Sequence, residues 1–347
     1  VIMLAQSNVS KGCNKMSLTS AHWGTYHAHV KDGRLTGLSH FVEDSDPSEI
    51  GKGIVDVIDN ESRIMGPMIR KSWLESGPGS HPERRGIDPF VRVSWDQANQ
   101  IVAAELERVI AAHGNEAIYA GSYGWASAGR FHHAPGQLHR FLNALGGYTK
   151  SVNTYSFAAA EVIVPHVIGH FRNYIYNQTS WTSVRDHCQL FVAFGGVALK
   201  NGQIGQGGLG RHVQKESLLE AHKNGVEFIS VSPLRSDMID DVDASWLSIR
   251  PNSDAALMIG LCHVLLDEGL QDRAFLDRYC VGFDQFAEYL TGASDGIVKD
   301  ASWAGAICAM DAEAIKTLAR RMAKSRTMLS FSWSLTRQAH GEQPFWA

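Results

Sequence analysis

Short runs of apolar residues alternate with amphipathic segments over most of the chain beyond residue 90. The runs predict buried strands at Ala117–Ala120, Leu190–Phe194, Val226–Val231, Trp246–Ile249 and Thr327–Phe331. The amphipathic or apolar segments of helical length predict helices at Asp96–Gly114, Arg211–Lys223, Ala255–Leu266, Phe283–Leu290 and Asp311–Ala323. Strands and helices in alternation are typical of a multi-domain α/β fold with largely parallel, Rossmann-like sheets.

The first part of the chain has a different pattern. Residues 16–90 contain many turn signals, such as Lys31-Asp32-Gly33 and Gly77-Pro78-Gly79, and only short apolar runs. Glycine, proline and aspartate at such close intervals favour turns over long helices. We therefore expect residues 16–90 to form a small, mostly β, N-terminal lobe, and residues 91–347 to form the α/β region.

The two ends of the chain carry separate expectations. Residues 1–15 lack the charged start and long apolar stretch of a secretory signal, so we interpret them as a possible upstream extension of a reading frame that begins at Met16. That start favours a cytoplasmic protein, whereas an export signal further upstream would make it periplasmic. The last residues, Gly341–Ala347, have no helix-ending or tail-like composition, which favours a fragment.

Composition excludes several classes of protein. The 347 residues are 44% hydrophobic and 20% charged, which is enough apolar material for a large core and excludes intrinsic disorder. The formal net charge of −4, without a basic block, argues against a nucleic-acid partner. The longest apolar segment is shorter than a membrane span. The cysteines never lie closer than 18 positions, which excludes CxxC pairs, and we expect packing roles for Cys188, Cys262, Cys280 and Cys308.

The residues that follow the predicted strands are polar or glycine. Leu190–Phe194 leads into Gly195-Gly196, Val226–Val231 into Ser232–Asp237, and Thr327–Phe331 into Ser332–Arg337. In open α/β sheets, ligands bind outside the carboxyl ends of the strands, where loops and helix N-termini supply amide donors. A large, phosphate-containing ligand spread over several loops is one interpretation, and ordinary strand-to-helix turn chemistry is the other.

Three short motifs suggest other chemistry, and each has a simpler explanation. Gly205–Gly210 matches the G-x-G-x-x-G fingerprint of NAD or FAD binding, but ten residues separate it from the preceding strand, so a flexible glycine loop is favoured. Gly292–Gly296 matches G-x-S-x-G, but the segment before it is helical where a nucleophilic serine needs a strand. The third motif is a group of histidines that suggests a zinc site, namely His132, His133, His139, His166 and His170. No carboxylate or cysteine completes a compact ligand set with them.

Six segments, taken in order, resemble those of a known family. They are Ser20–Gly24 (SAHWG), Phe90–Asp96 (FVRVSWD), Gly121–Trp125 (GSYGW), Tyr155-Ser156 with Val162–Gly169 (VIVPHVIG), Gln178–Trp181 (QTSW) and Gly341–Gln343 (GEQ). Each is weak alone, but their order and spacing from about residue 20 onward argue against coincidence. The chain resembles the dimethyl sulfoxide reductase family of molybdenum enzymes, in the branch of the trimethylamine N-oxide and biotin sulfoxide reductases.

The resemblance implies a molybdenum atom held by two molybdopterin guanine dinucleotides, with residues 91–347 forming two interleaved subdomains around them. By position, Ser156 supplies an oxygen ligand to the metal, and Tyr123 and Trp125 border the metal and the substrate oxygen. The implied cofactor-binding residues are Trp125, Lys200, Ser232, Arg235, Asp254, Trp333, Arg337 and Gln343. Lysine and arginine suit pyrophosphate, an aspartate accepts from guanine N–H groups, and tryptophan or tyrosine can donate to an oxygen on the metal.

The implied reaction is oxygen-atom transfer from a small S-oxide or N-oxide, such as dimethyl, biotin or methionine sulfoxide or trimethylamine N-oxide. The cofactor carries this chemistry, and the metal is then reduced by two electrons. No iron–sulfur cluster is expected in this chain, because the N-terminal region lacks closely spaced cysteines. Electrons would then come from a separate donor, either a cytochrome or a thiol or flavin reductant.

The chain departs from the family pattern in several places. Phe157-Ala158 stand where a small Thr-Gly pair is expected after the serine, Glu161 replaces a glutamine, and Val197-Ala198 replace an Asn/Asp-Pro pair. Phe157 beside the metal would reshape the substrate funnel. The family's enzymes are longer, so the resemblance implies an N-terminal half without the complete cofactor site. Two alternatives stay open: an NAD- or FAD-dependent α/β oxidoreductase, and a non-catalytic truncated chain.

Overall fold

The computed structural model describes residues 17–121, 133–154, 156–205 and 207–347. The chain divides into two compact units. The first comprises Val1–Val152 together with Gly205–Arg211, and the second comprises Asn153–Ile204 and His212–Ala347. The chain therefore leaves the first unit, enters the second, and returns once to the first before the second is complete. The domain boundaries placed at residues 15 and 90 from the sequence remain predictions.

The first unit combines small sheets with short helices and one long helix. Among the described residues, β1–β2–β3 is an antiparallel meander, β4 pairs antiparallel with β5, and β6 pairs in parallel with β7. The elements are β1 (Ser17–Ala21), β2 (Gly24–Lys31), β3 (Arg34–His40), α1 (Ile54–Val57), β4 (Met68–Arg70), α2 (Lys71–Ser76), β5 (Phe90–Arg92), α3 (Trp95–His113), β6 (Tyr119–Ala120), α4 (Ala134–Ala144) and β7 (Thr149–Lys150).

The meander has one buried face. Along β2, Gly24, Tyr26 and Ala28 are buried and alternate with more exposed residues, which is the period of a strand with one side packed inward. The Tyr26 hydroxyl donates to the Ser48 carbonyl at 2.8 Å, and burial raises the pKa of this phenol. Gly51 lies against the Tyr26 ring so closely that a Cβ there would overlap it. The prediction of a small, mostly β, N-terminal lobe is confirmed.

The segment Gly205–Arg211 completes this first unit. The Gly205 N–H donates to the His22 carbonyl at 2.7 Å, and the Leu209 N–H donates to the Ala21 carbonyl at 3.1 Å. The Thr25 hydroxyl donates to the Leu209 carbonyl at 3.0 Å. The described residues of the G-x-G-x-x-G motif form a loop, as predicted, and its backbone is tied to the β1–β2 hairpin. A helix at Leu199–Gly202 precedes the motif, so it lacks the strand that a dinucleotide fingerprint needs.

The long helix α3 confirms the helix predicted at Asp96–Gly114. It begins after Ser94, whose hydroxyl accepts from the Gln97 N–H, and it ends at Gly114, whose φ of +76° suits glycine. None of its residues is buried, and Val102 on the predicted apolar face is 54% exposed. Within the described chain, α3 is therefore only partly covered along its apolar face.

The second unit is larger and follows the predicted alternation of strands and helices. Its elements are α5 (Ala158–Val167), α6 (Phe171–Tyr176), α7 (Trp181–His187), β8 (Leu190–Phe194), α8 (Leu199–Gly202), α9 (Gln214–Lys223), β9 (Glu227–Val231), β10 (Ser245–Leu247), α10 (Asp254–Asp267), α11 (Arg273–Tyr279), α12 (Phe283–Leu290), α13 (Ala301–Cys308), α14 (Ala312–Lys324), β11 (Thr327–Phe331) and α15 (Gln343–Trp346). The bounds predicted for β8, α12 and β11 are those observed, and the other predicted elements shift by a few residues at their ends.

A parallel sheet of order β10-β9-β8-β11 forms the centre of the second unit. All five residues of β8 are buried, and they face alternately to two separate apolar clusters. Leu190, Val192 and Phe194 pack with α10, α13 and α14, while Phe191 and Ala193 pack with α7 and α9. Helices on both faces explain why β8 is a continuous apolar run. The predicted α/β class with parallel sheets is confirmed.

The strand order creates a reversal beside β8. From β8 the chain adds β9 and then β10 on one side, and it later returns to the other side of β8 with β11. In open α/β sheets, the crevice outside the carboxyl ends of the strands at such a reversal is where ligands bind. The loops after β8 and β11 therefore mark the position of a candidate site.

One prediction about the cysteines is wrong. Cys308 is buried and Cys188 and Cys262 are half-buried, in agreement with packing roles, but Cys280 is exposed. Cys280 follows α11, a helix with no buried residue, so there is no core for its thiol to enter. Across the described ranges, no helix is both long enough and apolar enough to cross a membrane.

Candidate functional site

The loops that follow the four strands of the parallel sheet enclose a cleft of about 250 Å³. We call it the strand-end cleft. It is lined by Gly195, Ser232, Pro233, Leu234, Asp237, Pro251, Asn252, Asp254, Ser334, Leu335 and Gln338. Residues from four distant parts of the sequence meet here because parallel strands bring their carboxyl ends to one edge. The cleft thus lies where this strand order predicts a ligand.

Two glycines at the end of β8 allow the neighbouring loops to close on it. Gly195 and Gly196 have φ values of +81° and +69°, which a residue with a side chain rarely adopts. A Cβ on Gly195 would lie 2.7 Å from the Ser332 Cβ, and one on Gly196 would lie 2.5 Å from the Asp237 carbonyl oxygen. The backbone conformation and the space both require glycine, so these two residues set the shape of the cleft.

Ser232 orders the loop after β9. Its hydroxyl donates to Oδ2 of Asp237 at 2.6 Å and accepts from the Leu234 N–H at 3.2 Å. Its carbonyl accepts from Nε1 of Trp246 at 2.8 Å. The side chain is buried, so the hydroxyl predicted to contact a cofactor is already used within the loop.

Asp254 is a buried carboxyl at the edge of the cleft and the first residue of α10. Burial raises the pKa of the Asp254 carboxyl because removal from water disfavours its charged form, and a bond to its own backbone N–H opposes this only in part. Two N–H donors of a planar ligand would stabilise the carboxylate. Asp254 is therefore suited to recognise a heterocycle with adjacent N–H groups.

Ser156 lies in a turn directly before α5, and both of its peptide groups are hydrogen-bonded. Its N–H donates to Oγ1 of Thr154 at 3.2 Å. Its carbonyl oxygen accepts from Nε of Arg337 at 3.0 Å. The structure thus brings together Ser156 and Arg337, which the family resemblance implies as contacts of the metal and of the cofactor, respectively. We call residues 154 and 156–157 the Ser156 turn.

An aromatic cluster packs beside the Ser156 turn. The Phe157 ring lies 5.0 Å from the Trp333 ring and 5.6 Å from the Phe171 ring, measured between centroids. Phe345 of α15 lies 6.1 Å from Trp333, and the buried Ala160 and Val164 of α5 complete the cluster. The residue after Ser156 is thereby fixed by packing, while Ser156 itself is fixed by hydrogen bonds.

Residues 333–338 contact both parts of the candidate site. Trp333 and Arg337, four positions apart, contact the Ser156 turn. Ser334, Leu335 and Gln338 line the strand-end cleft. The segment begins with a 3₁₀ turn at Trp333–Thr336, and its contacts divide between the Ser156 turn and the cleft. One short segment after β11 therefore connects the cleft to the Ser156 turn.

The other predicted site residues lie elsewhere. Lys200 of α8 and Gln343 of α15 are exposed. Arg235 is exposed, lies 3.9 Å from Asp240, and lines a neighbouring cleft of about 200 Å³. These three residues belong neither to the strand-end cleft nor to the Ser156 turn. Tyr123 and Trp125 lie outside the described residues.

Parts of the alternative motifs have structural explanations in the described chain, while His132 lies outside the described residues. His133 caps α4 by accepting from the Gly136 N–H at 3.1 Å, and His139 packs against Tyr148. Searched over residues 17–121, 133–154, 156–205 and 207–347, no three His, Cys, Asp or Glu side chains form a group that could hold a metal ion. Gly292–Gly296 follows α12 as a turn, which confirms that it is not a nucleophile elbow.

Some residues of the site were not among those predicted. Asn252 and Gln338 line the strand-end cleft, and Thr154 holds the N–H of Ser156. Asn252 and Gln338 follow predicted strands, so the polar strand ends were the available signal. A threonine two positions before a serine is a weaker signal, because such pairs are common in turns.

The sheet order and the cleft at its reversal define an open α/β domain of the class that binds ligands outside the carboxyl ends of its strands. A family model described as molybdopterin oxidoreductase matches residues 63–347, and one described as molybdopterin oxidoreductase N-terminal domain matches residues 19–59. The chain therefore belongs to the molybdopterin oxidoreductase family, and the molybdopterin resemblance inferred from the sequence is confirmed.

Several curated relatives are similar over most of this chain. A biotin sulfoxide reductase of Cereibacter sphaeroides is 45% identical over 90% of the chain and 42% of the relative. A dimethyl sulfoxide/trimethylamine N-oxide reductase of the same organism is 39% identical over 99% of the chain and 42% of the relative. A trimethylamine-N-oxide reductase of Haemophilus influenzae is 37% identical over the same shares. The chain thus spans about two fifths of the length of these relatives.

A solved structure supports the fold. Acetylene hydratase from Pelobacter acetylenicus matches with a TM-score of 0.60 and 22% identity, over 92% of this chain and 40% of that chain. At this identity the match supports the fold alone.

Proposed function

We propose that this chain is part of a molybdenum enzyme that reduces small S-oxides or N-oxides and binds its metal through Ser156. The observation that carries the proposal is the Ser156 turn, in which Thr154 and Arg337 hold the two peptide groups of Ser156. A metal ligand must be held in one direction by the groups around it, and this turn meets that requirement. The names of the similar proteins support the substrate class, since they include biotin sulfoxide, dimethyl sulfoxide and trimethylamine N-oxide.

The strand-end cleft fits the nucleotide end of a molybdopterin guanine dinucleotide. The buried Asp254 carboxyl, with its raised pKa, is suited to accept the adjacent N–H groups of guanine. The amides of Asn252 and Gln338 supply further donors and acceptors in the same cleft. The exposed side chains of Lys200 and Arg235 would serve the pyrophosphate. The proposal includes the binding of two such dinucleotides by the whole protein. It also includes a contact between Gln343 and a pterin.

When bound, the cofactor would supply two-electron oxygen-atom transfer. The residues of this chain would bind and orient the cofactor and the substrate. Ser156 would hold the metal through its side-chain oxygen, and Trp333 with Phe157 would shield one side of the turn from water. Tyr123 and Trp125 are proposed to donate hydrogen bonds to the substrate oxygen.

The proposed partners follow from the electron balance. Each oxide reduced consumes two electrons, and the cysteine spacing of this chain does not match that of an N-terminal iron–sulfur site. We therefore propose a separate electron donor, either a cytochrome or a thiol or flavin reductant.

The test uses the full-length protein encoded by the native gene, produced in a host that makes the molybdenum cofactor. We expect about one molybdenum atom per chain by elemental mass spectrometry. Ser156→Ala should lower kcat for dimethyl sulfoxide, biotin sulfoxide and trimethylamine N-oxide at least roughly 100-fold. The control is Ser294→Ala, which changes the exposed serine of the G-x-S-x-G turn and should leave turnover unchanged. A folded protein without molybdenum would overturn the proposal.

A further inference from the structure

Arg337 joins the segment of residues 333–338 to the Ser156 turn through one hydrogen bond. Its Nε lies 3.0 Å from the carbonyl oxygen of Ser156, 181 positions away in the sequence. The family pattern assigns this arginine to the cofactor. We propose that Arg337 is also a positioning residue, which fixes the direction of the Ser156 side chain. This inference rests on the proposed ligation of molybdenum by Ser156.

The backbone of Ser156 explains why one hydrogen bond has this effect. The direction of its Cα–Cβ bond follows from the planes of the two peptide groups on either side. The N–H side is held by Thr154, and the carbonyl side is held by Arg337. Phe157, at the start of α5, is packed against Trp333 and Phe171. With the following residue fixed, loss of the Arg337 bond allows the peptide between Ser156 and Phe157 to rotate.

The chemistry of arginine makes positioning compatible with cofactor binding. A guanidinium has five N–H donors in a fixed plane, and the bond to Ser156 uses the one on Nε. The other donors are available to an anionic or carbonyl group of a cofactor. Arg337 would then transmit the position of the bound cofactor to the metal ligand.

Arg337→Lys separates the two roles. Lysine keeps the positive charge but carries a methylene where arginine carries Nε, so the directed bond to Ser156 is lost. In the full-length enzyme we expect unchanged molybdenum and pterin content. The visible absorption and EPR spectra of the metal centre should shift toward those of Ser156→Ala. We expect kcat to fall roughly 10- to 100-fold, with KM changed by less than about threefold.

Arg320→Lys is the matched control. Arg320 lies on α14 and pairs with Glu268 at 2.7 Å on the surface, so the same chemical change occurs away from the site. We expect it to leave both spectra and kcat at wild-type values.

A second measurement uses the cofactor-free full-length protein. Hydrogen exchange of a peptide covering residues 153–160 should be at least about tenfold faster in Arg337→Lys, and also in Thr154→Val, than in the wild type or Arg320→Lys. This readout depends on the turn alone, without metal or turnover.

The outcomes distinguish the inference from the proposed function. If Ser156→Ala leaves the spectra unchanged, serine ligation fails, while the exchange result still decides whether Arg337 holds the turn. If Ser156→Ala shifts the spectra and Arg337→Lys leaves both spectra and exchange unchanged, positioning by Arg337 is overturned and the proposed function stands. Loss of molybdenum from Arg337→Lys with unchanged exchange would also overturn positioning, because it would leave Arg337 with cofactor binding alone.

Discussion

The strand-end cleft and the Ser156 turn lie on two sides of one short segment, residues 333–338, but they are built differently. The cleft is shaped by backbone: the strand order, the left-handed Gly195-Gly196 pair and the loops that close on it. The turn is shaped by side chains, namely the hydroxyl of Thr154, the guanidinium of Arg337 and the ring of Phe157. The cleft should therefore be sensitive to added bulk, and the turn should be sensitive to the loss of particular groups.

The largest loss of folding stability is expected from adding one carbon atom beside the strand-end cleft. Gly196→Ala places a Cβ 2.5 Å from the Asp237 carbonyl oxygen on a backbone with φ of +69°. We expect the free energy of unfolding to fall by about 4 kcal/mol, measured by urea denaturation. Gly225→Ala is the control, with φ of +92° and no atom within 4 Å of the added carbon, and should cost about 1 to 2 kcal/mol. Equal losses in the two variants would show that the cleft does not depend on close approach at Gly196.

The next-largest loss of folding stability is expected when apolar packing behind the Ser156 turn is removed. Phe171 is buried and contacts both Phe157 and Trp333, so Phe171→Ala should lower the free energy of unfolding by about 3 kcal/mol. The matched control is Phe275→Ala, since Phe275 is 53% exposed, and it should cost less than about 1 kcal/mol. A loss at Phe171 no greater than that at Phe275 would contradict the packed cluster.

A smaller free-energy difference is expected from the contact between two aromatic rings. The centroids of Phe157 and Trp333 lie 5.0 Å apart, so a double-mutant cycle of Phe157→Leu and Trp333→Leu should give a coupling free energy of about 1 kcal/mol. Chemical denaturation of the four cofactor-free proteins measures it. A coupling indistinguishable from zero would mean that the residue after Ser156 is not held by Trp333.

The smallest effect is a gain of stability in the cleft. The raised pKa of Asp254 means that its folded form binds a proton more tightly than its unfolded form, so its presence lowers stability as pH rises from the ordinary aspartate pKa through the folded pKa. In the cofactor-free protein, Asp254→Asn should raise the melting temperature by about 2 °C at neutral pH. The gain should shrink as pH falls below the folded pKa. The same substitution should weaken retention of the cofactor, and improved retention would contradict guanine recognition by Asp254.

The elements best predicted from the sequence are those whose signals are local. Leu190–Phe194 and Thr327–Phe331 have the predicted bounds because both are continuous apolar runs with polar or glycine residues after them. The helix predicted from Arg211 begins instead at Gln214, since Arg211 still belongs to the segment that joins the first unit. The N-terminal meander could also be predicted, because closely spaced turn residues are a local signal.

The site itself depends on information that is not local. Asn252 and Gln338 meet in one cleft because β10 and β11 belong to one parallel sheet whose strands end at the same edge, and sheet membership cannot be obtained from periodicity. The importance of Ser156 came from the family resemblance, because a serine in a turn has no distinctive pattern. Its bond to Arg337 spans 181 positions and could be found only in the folded chain.

The return of Gly205–Arg211 to the first unit constrains how the protein is made. The β1–β2–β3 meander uses neighbours in sequence and can pair soon after synthesis, but the bond from Thr25 to Leu209 spans 184 positions. That contact must wait until the ribosome has produced the loop, β8 and the short helix before it. The lobe that contains this meander is thus completed only by residues made well after its own strands.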